Sequence, residues 1–246
     1  MTLALARELQ GLAPVERIRA IRAALAGEIV FTTSFGLEDQ VLTHLVVESG
    51  AEIAFATLDT GRLFPETHAL WTETEALYGI KVFAYTPRHE AVEDYIAESG
   101  INGFYASLEA RKACCHIRKV EPLGRALKGA AGWITGLRAD QSPARSDTPF
   151  AEESAQYGLV KLNPLLDFSR EDALAFAKTH NVPINPLHAS GFLSIGCAPC
   201  TRAIQPGEPE RAGRWWWEDE AKKECGLHVG PDGKFVCPEP RKEAFA

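Results

Sequence analysis

What most constrains this chain is an alternation of short β-branched runs with stretches of helical periodicity. EIVFTTSFG (28–36) is an extended run ending in a tight turn, and LEDQVLTHLVVES then places Val41, Leu42, Leu45 and Val46 at helical spacing. AEIAFATLDTG (51–61) repeats the strand, PETHALWTETEALYG repeats the helix with Pro65 in its first turn, and IKVFAYTP is a third strand. A helix over 118–129, a strand GWITGL (132–137), the run VKLNPLL and a helix REDALAFAKTHN capped by Ser169 continue the alternation. Strands separated by helices pair in parallel, so the spacing predicts an α/β fold: a parallel twisted sheet flanked by helices, with an irregular C-terminal tail. One amphipathic helix (15–26), with Val15, Ile18, Ile21 and Leu25 on its apolar face, opens the chain. The expected division is a helical segment 1–27, an α/β domain 28–190 and a C-terminal segment 191–246 that folds over it.

Composition limits what such a sheet can serve. A chain of 246 residues with 46% hydrophobic and 24% charged content buries a sizeable core, which excludes disorder and fibrous repeats. A net charge of −7 argues against nucleic acid or an anionic membrane as partner, since both need a broad positive field. Arg7, Glu8 and Glu16 interrupt the N-terminal apolar residues, and no run approaches the roughly 18 apolar residues of a membrane span, so a cytoplasmic protein with reduced thiols is expected.

In a parallel sheet, ligands sit beyond the carboxyl ends of the strands, at helix N-termini that bind anions. Three strand-end loops are polar: TTSFGLED with Ser34, LDTGRLFPETH with Asp59 and Arg62, and GLRADQSPARSD with Arg138 and Arg145. The first lacks the glycines of a dinucleotide fingerprint and the lysine of a P-loop. Together they point to an anion the size of a nucleotide.

The six cysteines are too few for a disulfide scaffold. Cys114 and Cys115 are adjacent, and Cys197 and Cys200 form a CxxC; two close thiolate pairs suit a tetrahedral zinc or a 4Fe-4S cluster, and spacing does not choose between them. Cys225, in KKECGLH between Lys222, Lys223 and His228, has the cationic surroundings that raise a thiolate fraction. Cys237 has no basic neighbourhood. Arg118 and Lys119 follow the CC pair and Arg202, Arg211 and Arg214 follow the CxxC, a local gathering of cations suited to a multiply charged anion. Arg111, Lys112 and Arg125 are expected to be helix-surface charge, and Trp215 to Trp217 to be packing anchors.

TTSFGLEDQVLTHL, LDTGRLFPETH, CCHIRKVEPL, GLRADQSPARSD, GCAPCTRAIQPGEPERAGRWWWE and KKECGLH, in this order over residues 28–228, resemble the assimilatory adenylyl-sulfate reductases, relatives of the phosphoadenylyl-sulfate reductases. The resemblance implies an adenine nucleotide alpha hydrolase-like fold whose modified phosphate loop is the Ser34 to Asp39 region. It implies one 4Fe-4S cluster per chain on Cys114, Cys115, Cys197 and Cys200, and Cys225 as the nucleophile. Cys225 would attack the sulfur of adenylyl sulfate, expel AMP and become an S-sulfocysteine that thioredoxin resolves, releasing sulfite for cysteine biosynthesis. Substrate contacts are expected from Ser34, Asp59, Arg62, Lys119, Arg138, Arg145, Arg211, Arg214 and His228. The alternatives are reduction of the 3'-phosphorylated nucleotide, alone or alongside adenylyl sulfate, and a nucleotide-binding iron–sulfur redox sensor, against which the separate Cys225 argues. A zinc-structured nucleotide pyrophosphatase is a third, and SFGLED lacks the second glycine it needs. The partners expected are the nucleotide and thioredoxin, with no nucleic acid and no membrane; a homo-oligomer is left open, as is any role for Cys237.

Overall fold

The computed structural model describes residues 2–218. Its central strand, β1 (Ile29–Thr32), begins with three consecutive buried residues, the pattern of a strand covered on both faces. With β2 (Ala54–Leu58), β3 (Val82–Tyr85), β4 (Gly132–Ile134), β5 (Ala151–Ser154) and β6 (Leu159–Leu162) it forms one sheet in the order β3-β2-β1-β4-β6-β5. Val30 lies opposite Ala54 on one side and Trp133 on the other. All pairings are parallel except that of β5 with β6. The chain builds outward from β1 to β2 and β3, then returns to lay β4 on the other flank. The carboxyl ends of β1 and β4 therefore diverge into a crevice, the place where such sheets bind ligands.

The flanking helices are α1 (Thr2–Gln10), α2 (Pro14–Ala24), α3 (Leu37–Ser49), α4 (Pro65–Tyr78), α5 (His89–Ser99), α6 (Leu108–Cys115), α7 (Glu121–Ala126) and α8 (Arg170–Thr179). Their ends follow the local chemistry. Pro65 opens α4, and Ser169 caps α8 by accepting from Asp172 N–H while Asp172 accepts in return from Ser169. Gly50, at φ 68°, turns the chain out of α3 and donates its N–H to Val47 O. Leu9, Ile18, Ile21, Phe31, Leu42 and Leu162 belong to one core cluster, so the N-terminal helices and the sheet share their packing. Each such side chain contributes on the order of 2 kcal/mol through burial. A smaller cluster of Val30, Leu123, Leu127 and Trp133 covers a second region of the sheet.

The parallel sheet flanked by helices agrees with the expected fold class, and several elements differ in detail. Two helices, not one, precede β1, because Leu5 and Leu9 bury a second apolar face beside α2. The antiparallel edge strand β5 is unanticipated: Ala-Glu-Glu-Ser carries almost no apolar signal and is ordered by pairing with β6. Instead of one helix over 118–129, α6 and α7 are joined by a π-helical turn, His116–Val120. π-turns insert one residue into a helix and are frequent at functional sites. After α8 the described chain is irregular, with 3₁₀ turns at Pro186–Ser190 and Ala198–Cys200 and a bridge between Thr201 and Arg214. It is tied to the domain by Ala198 N–H donating to Arg62 O (2.8 Å). Among the described residues no helix is long and apolar enough to cross a membrane.

Candidate functional site

The crevice between β1 and β4 is a cleft of about 1280 Å³, counting its open mouth. Thr33 and Ser34 reach it from the end of β1, Thr57 and Thr60 from β2, Thr135 and Gly136 from β4. The β1 turn holds an unusual conformation. Phe35 has φ 58°, in the left-handed region, and its N–H donates to Thr33 Oγ1 (3.0 Å). Its ring is buried and stacked on Trp71 at 5.6 Å, so packing against α4 holds a backbone shape that glycine would ordinarily supply.

That shape is closed by Asp39, at the end of the loop that the resemblance marks. Asp39 Oδ2 accepts from both the N–H and the hydroxyl of Ser34 (2.6 and 2.7 Å). Burial pushes the Asp39 carboxyl up to about 6, against the lowering effect of the two Ser34 bonds. A Cβ at Gly136 would overlap Asp39 Oδ1, so only glycine lets the exit of β4 pass this carboxyl. Ser34 lines the cleft, with its hydroxyl committed to Asp39.

The cations divide sharply. Lys119, Arg145, Arg211 and Arg214 line the cleft. Arg214 is buried, stacks on Trp215 at 4.8 Å, and its Nε has no hydrogen-bond partner, which leaves a donor for a ligand. A Cβ at Gly196 would strike its guanidinium, so glycine there makes the arginine's berth. Arg138 behaves otherwise: it is fully buried and does not line the cleft. It donates to Glu38 Oε1 (2.7 Å), to Asp140 and to both oxygens of Glu210 (2.9 and 2.7 Å), so three carboxylates claim the cation expected on the nucleotide side. Two of these partners, Glu38 and Glu210, do line the cleft. Asp59 also lies outside the cleft lining; it accepts Gly61 N–H (3.0 Å) and faces His68 Nε2 at 3.4 Å. His188, which no sequence motif marks, lines the cleft: Nδ1 lies 2.7 Å from Phe192 O and the buried Nε2 has no partner. Burial holds its pKa below the usual histidine value.

Beside the cleft is a second, smaller pocket of about 390 Å³. Cys114 and Cys115 at the end of α6, Cys197 just before the second 3₁₀ turn and Cys200 at its end all line it, with Phe104 and Trp215 as apolar walls. Arg62, expected at the nucleotide, is here instead; it donates to Ile101 O (2.8 Å) and Asn102 Oδ1 (2.9 Å) and lies over Phe104. Thr60 Oγ1 sits 3.2 Å from Cys197 Sγ, and Arg118 donates to Thr60 O (2.7 Å). Burial opposes ionisation of Cys197, yet Lys119, the Thr60 bond, Arg214 and Arg118 together hold its thiol below the usual value. Burial and the neighbouring Cys197 push Cys200 up to about 12. Cys115, Cys197 and Cys200 are buried and Cys114 is half-buried.

Four thiols lining one pocket suit either a tetrahedral zinc or a 4Fe-4S cluster. A cubane spreads its thiolates over four irons. Trp215 Nε1 is buried here without a hydrogen-bond partner, a donor suited to sulfur.

Arg111 overturns its expected place on the helix surface. It has 0% exposure, donates to Glu218 through Nε (3.0 Å) and Nη2 (2.7 Å), and stacks on Trp215 at 4.5 Å. A charge in a polar string reads as solvated until its partner, 107 residues away, is placed. Trp215 is a buried anchor as expected. Lys119 lines both pockets, so one ammonium forms part of their common wall. Cys225, His228 and Cys237 lie outside the described residues.

Residues 28–203 match the family model described as the phosphoadenosine phosphosulfate reductase domain. The chain is 53% identical over 225 residues to an adenosine 5'-phosphosulfate reductase of Sinorhizobium fredii, covering 92% of this chain and 90% of that one. It is 56% identical over 207 residues to an adenosine 5'-phosphosulfate reductase of Agrobacterium fabrum, covering 84% and 80% of the two chains. Among solved structures it is similar to a phosphoadenylyl-sulfate reductase from Candida auris in a phosphate complex, with TM-score 0.69, 26% identity, and 82% and 95% of the two chains covered.

Proposed function

The chain belongs to the phosphoadenosine phosphosulfate reductase family, and we propose that it reduces adenylyl sulfate to sulfite and AMP in sulfate assimilation. The observation that carries this reading is the pairing of two pockets through Lys119: a cation-lined cleft at the sheet's crevice, and a four-cysteine pocket against it. The relatives at more than 50% identity are named for this substrate. The cleft binds the nucleotide, with Lys119, Arg145, Arg211 and Arg214 neutralising phosphate and sulfate. Cys114, Cys115, Cys197 and Cys200 hold one 4Fe-4S cluster. When bound, that group supplies fixed charge and rigid positioning beside the sulfate, since the electrons come from thiols.

Cys225 is the nucleophile. Its thiolate attacks the sulfate sulfur, the S–O bond to the nucleotide breaks, and AMP leaves with that bonding pair as an oxyanion. Little acid assistance is needed, but the spreading negative charge must be met, which is what the cleft cations do. A thioredoxin thiolate then attacks Cys225 S-sulfocysteine at the cysteine sulfur, sulfite departs with the S–S electron pair, and the second thioredoxin thiol resolves the mixed disulfide. The dithiol is oxidised by two electrons and sulfur is reduced by two. The cytoplasm, where such thiols stay reduced, is the proposed location.

The test is sulfite release from adenylyl sulfate by the purified protein with thioredoxin, alongside iron analysis and the same assay with the 3'-phosphorylated nucleotide. Cys225→Ser is expected to retain iron and lose both sulfite release and the trapped S-sulfo adduct. Turnover retained by that variant would overturn the mechanism, and preferred turnover of the 3'-phosphorylated nucleotide would overturn the substrate assignment.

A further inference from the structure

We infer that His188 is a specificity-determining residue, whose Nε2 accepts a hydrogen bond from a ribose hydroxyl of the bound nucleotide and turns away a nucleotide that carries a phosphate there. The inference rests on the reading above, in which the cleft holds an adenine nucleotide. It deepens that reading by naming what distinguishes one such nucleotide from another.

Among the described residues, three that line the cleft have a buried side-chain nitrogen without a hydrogen-bond partner: Arg214, Trp215 and His188. Nε of Arg214 and Nε1 of Trp215 are donors, suited to the oxygens of phosphate and sulfate. His188 is of the other kind. Its Nδ1 lies 2.7 Å from Phe192 O, and a carbonyl can only accept, so Nδ1 carries the proton. Burial, helped by the Arg170 cation, outweighs the Phe192 carbonyl and Glu38 and holds the ring below its ordinary pKa, so it is neutral at pH 7. Nε2 is then a bare lone pair in the wall of an anion-binding cleft.

The ring is also fixed in place. It stands on the 3₁₀ turn Pro186–Ser190, which Asn185 caps by accepting Leu187 N–H (3.1 Å) while donating to Thr67 Oγ1 (3.2 Å). Gly191, at φ 83°, turns the chain so that Phe192 brings its carbonyl to Nδ1 and its ring against Phe64 at 5.6 Å. A buried acceptor left unmet is destabilising, and a ligand that brings a donor removes that penalty.

Adenylyl sulfate has few donors to bring: its ribose hydroxyls and its adenine amino group, since its phosphate and sulfate oxygens only accept. The surroundings of His188 choose between them. Glu38 lies within electrostatic reach of the imidazole and lines the cleft, as does Glu210. Carboxylates at the crevice of an α/β sheet are groups that take ribose hydroxyls. The cations behind them do not line the cleft: Arg138 is engaged by three carboxylates, and Arg170 donates to Leu193 O (3.1 Å) and faces Glu210 at 3.5 Å. A phosphate on the 2'- or 3'-oxygen removes the donor and sets its own charge against a lone pair and two carboxylates. A repulsive element of this kind separates ligands that share every other contact. The same wall continues through Leu193, Ser194 and Ile195 to Gly196, against which Arg214 lies. A ribose anchored at the His188 end therefore leaves phosphate and sulfate facing the arginine at the other.

The experiment measures, by calorimetry, binding of AMP, 2'-deoxy-AMP, 3'-deoxy-AMP, inosine monophosphate and adenosine 3',5'-bisphosphate to the full-length protein, His188→Asn and His188→Gln. Asparagine keeps an amide donor for Phe192 O and has no atom at the place of Nε2, whereas glutamine carries an amide oxygen to it. In the parent, loss of one of the two hydroxyls is expected to weaken binding about 5- to 100-fold, the range for an unmet buried acceptor. The bisphosphate is expected to bind more weakly than AMP by at least as much. In His188→Asn both differences are expected to shrink to about threefold or less, with the difference between AMP and inosine monophosphate unchanged. His188→Gln is expected to restore most of the dependence on the hydroxyl. The inference is overturned if both deoxynucleotides bind the parent as AMP does, or if His188→Asn keeps the parent's full discrimination. It is equally overturned if the substitution abolishes dependence on the adenine amino group instead, which assigns Nε2 to the base. The comparison among ligands of the parent stands even if a variant does not fold. A parent that binds none of these nucleotides overturns the functional reading itself, which separates the two failures.

Discussion

The two pockets share a wall and are built on opposite plans. The cleft is made by topology: its lining comes from the ends of β1, β2 and β4, and it would exist in any sheet that reverses strand order at this point. Its charges come largely balanced, with Glu38, Asp39 and Glu210 set among the arginines. The cysteine pocket is made by side chains. Segments near residues 60, 104, 111–119 and 197–215 converge on it, with thiols and cations meeting across apolar rings. A pocket that topology provides should survive loss of a side chain, whereas one that side chains provide should not.

The sharpest way to break that contrast is Cys197→Ala. Removing one of four thiols is expected to abolish bound iron, a loss beyond the 10- to 100-fold that deleting an outer partner of a metal site typically costs. AMP affinity should persist to within a few fold, measured by calorimetry beside iron analysis; loss of AMP binding would mean that the two pockets are one unit. Lys119→Met probes the shared wall. Turnover of adenylyl sulfate should fall roughly 100- to 1000-fold, as for the loss of one charge-stabilising donor, while iron remains and AMP binding weakens less. Gly136→Ala strikes the cleft alone: the added methyl meets Asp39 Oδ1. It is expected to cost about 1–3 kcal/mol by thermal or urea unfolding and to weaken AMP, with visible absorption of the neighbouring pocket unchanged.

The smallest effect is one of pH. Asp39 ionises near 6 in the folded chain, above its ordinary 3.8. The folded state therefore holds a proton that the unfolded state has released, and the contribution of Asp39 to stability falls as pH rises through that window. The same ionisation places a negative charge beside the anion site. AMP affinity should weaken by about fivefold, or about 1 kcal/mol at a separation of roughly 8 Å, between pH 5 and pH 7. Asp39→Asn should flatten the part of the profile that does not belong to the AMP phosphate; identical profiles for parent and variant would assign the whole effect to the nucleotide.

The same contrast governs what could be read from the residues. Strand-end loops, Pro65 at the start of α4 and the Ser169 cap are local, and their chemistry is complete within a few residues. Residue types alone marked the four cysteines, because thiol pairs are rare and specific. Arg111 and Arg138 were misplaced for one common reason. Arg111 was expected at the surface and Arg138 at the nucleotide, and each is instead buried by carboxylates far along the chain: Glu218 for the first, Glu38 and Glu210 for the second. The role of Asp39 was hidden by the opposite circumstance, an acid in a helix's first turn where acids are commonplace. Only the absent side chain at Gly136 marks the space it needs. Strand β5 was invisible because its order comes from its partner and not from its own residues.

The π-turn at His116–Val120 has a consequence in the language of angular phase. A regular helix advances about 100° per residue, so one extra residue offsets the face of α7 from that of α6 by about that much. That offset lets Cys114 and Cys115 face one cavity while Lys119, a few residues on, also reaches another. Deleting one residue within the turn is expected to favour a uniform α-helical winding. It would also swing everything beyond it a quarter-turn out of register, so the irregular winding is retained at the expense of a better helix.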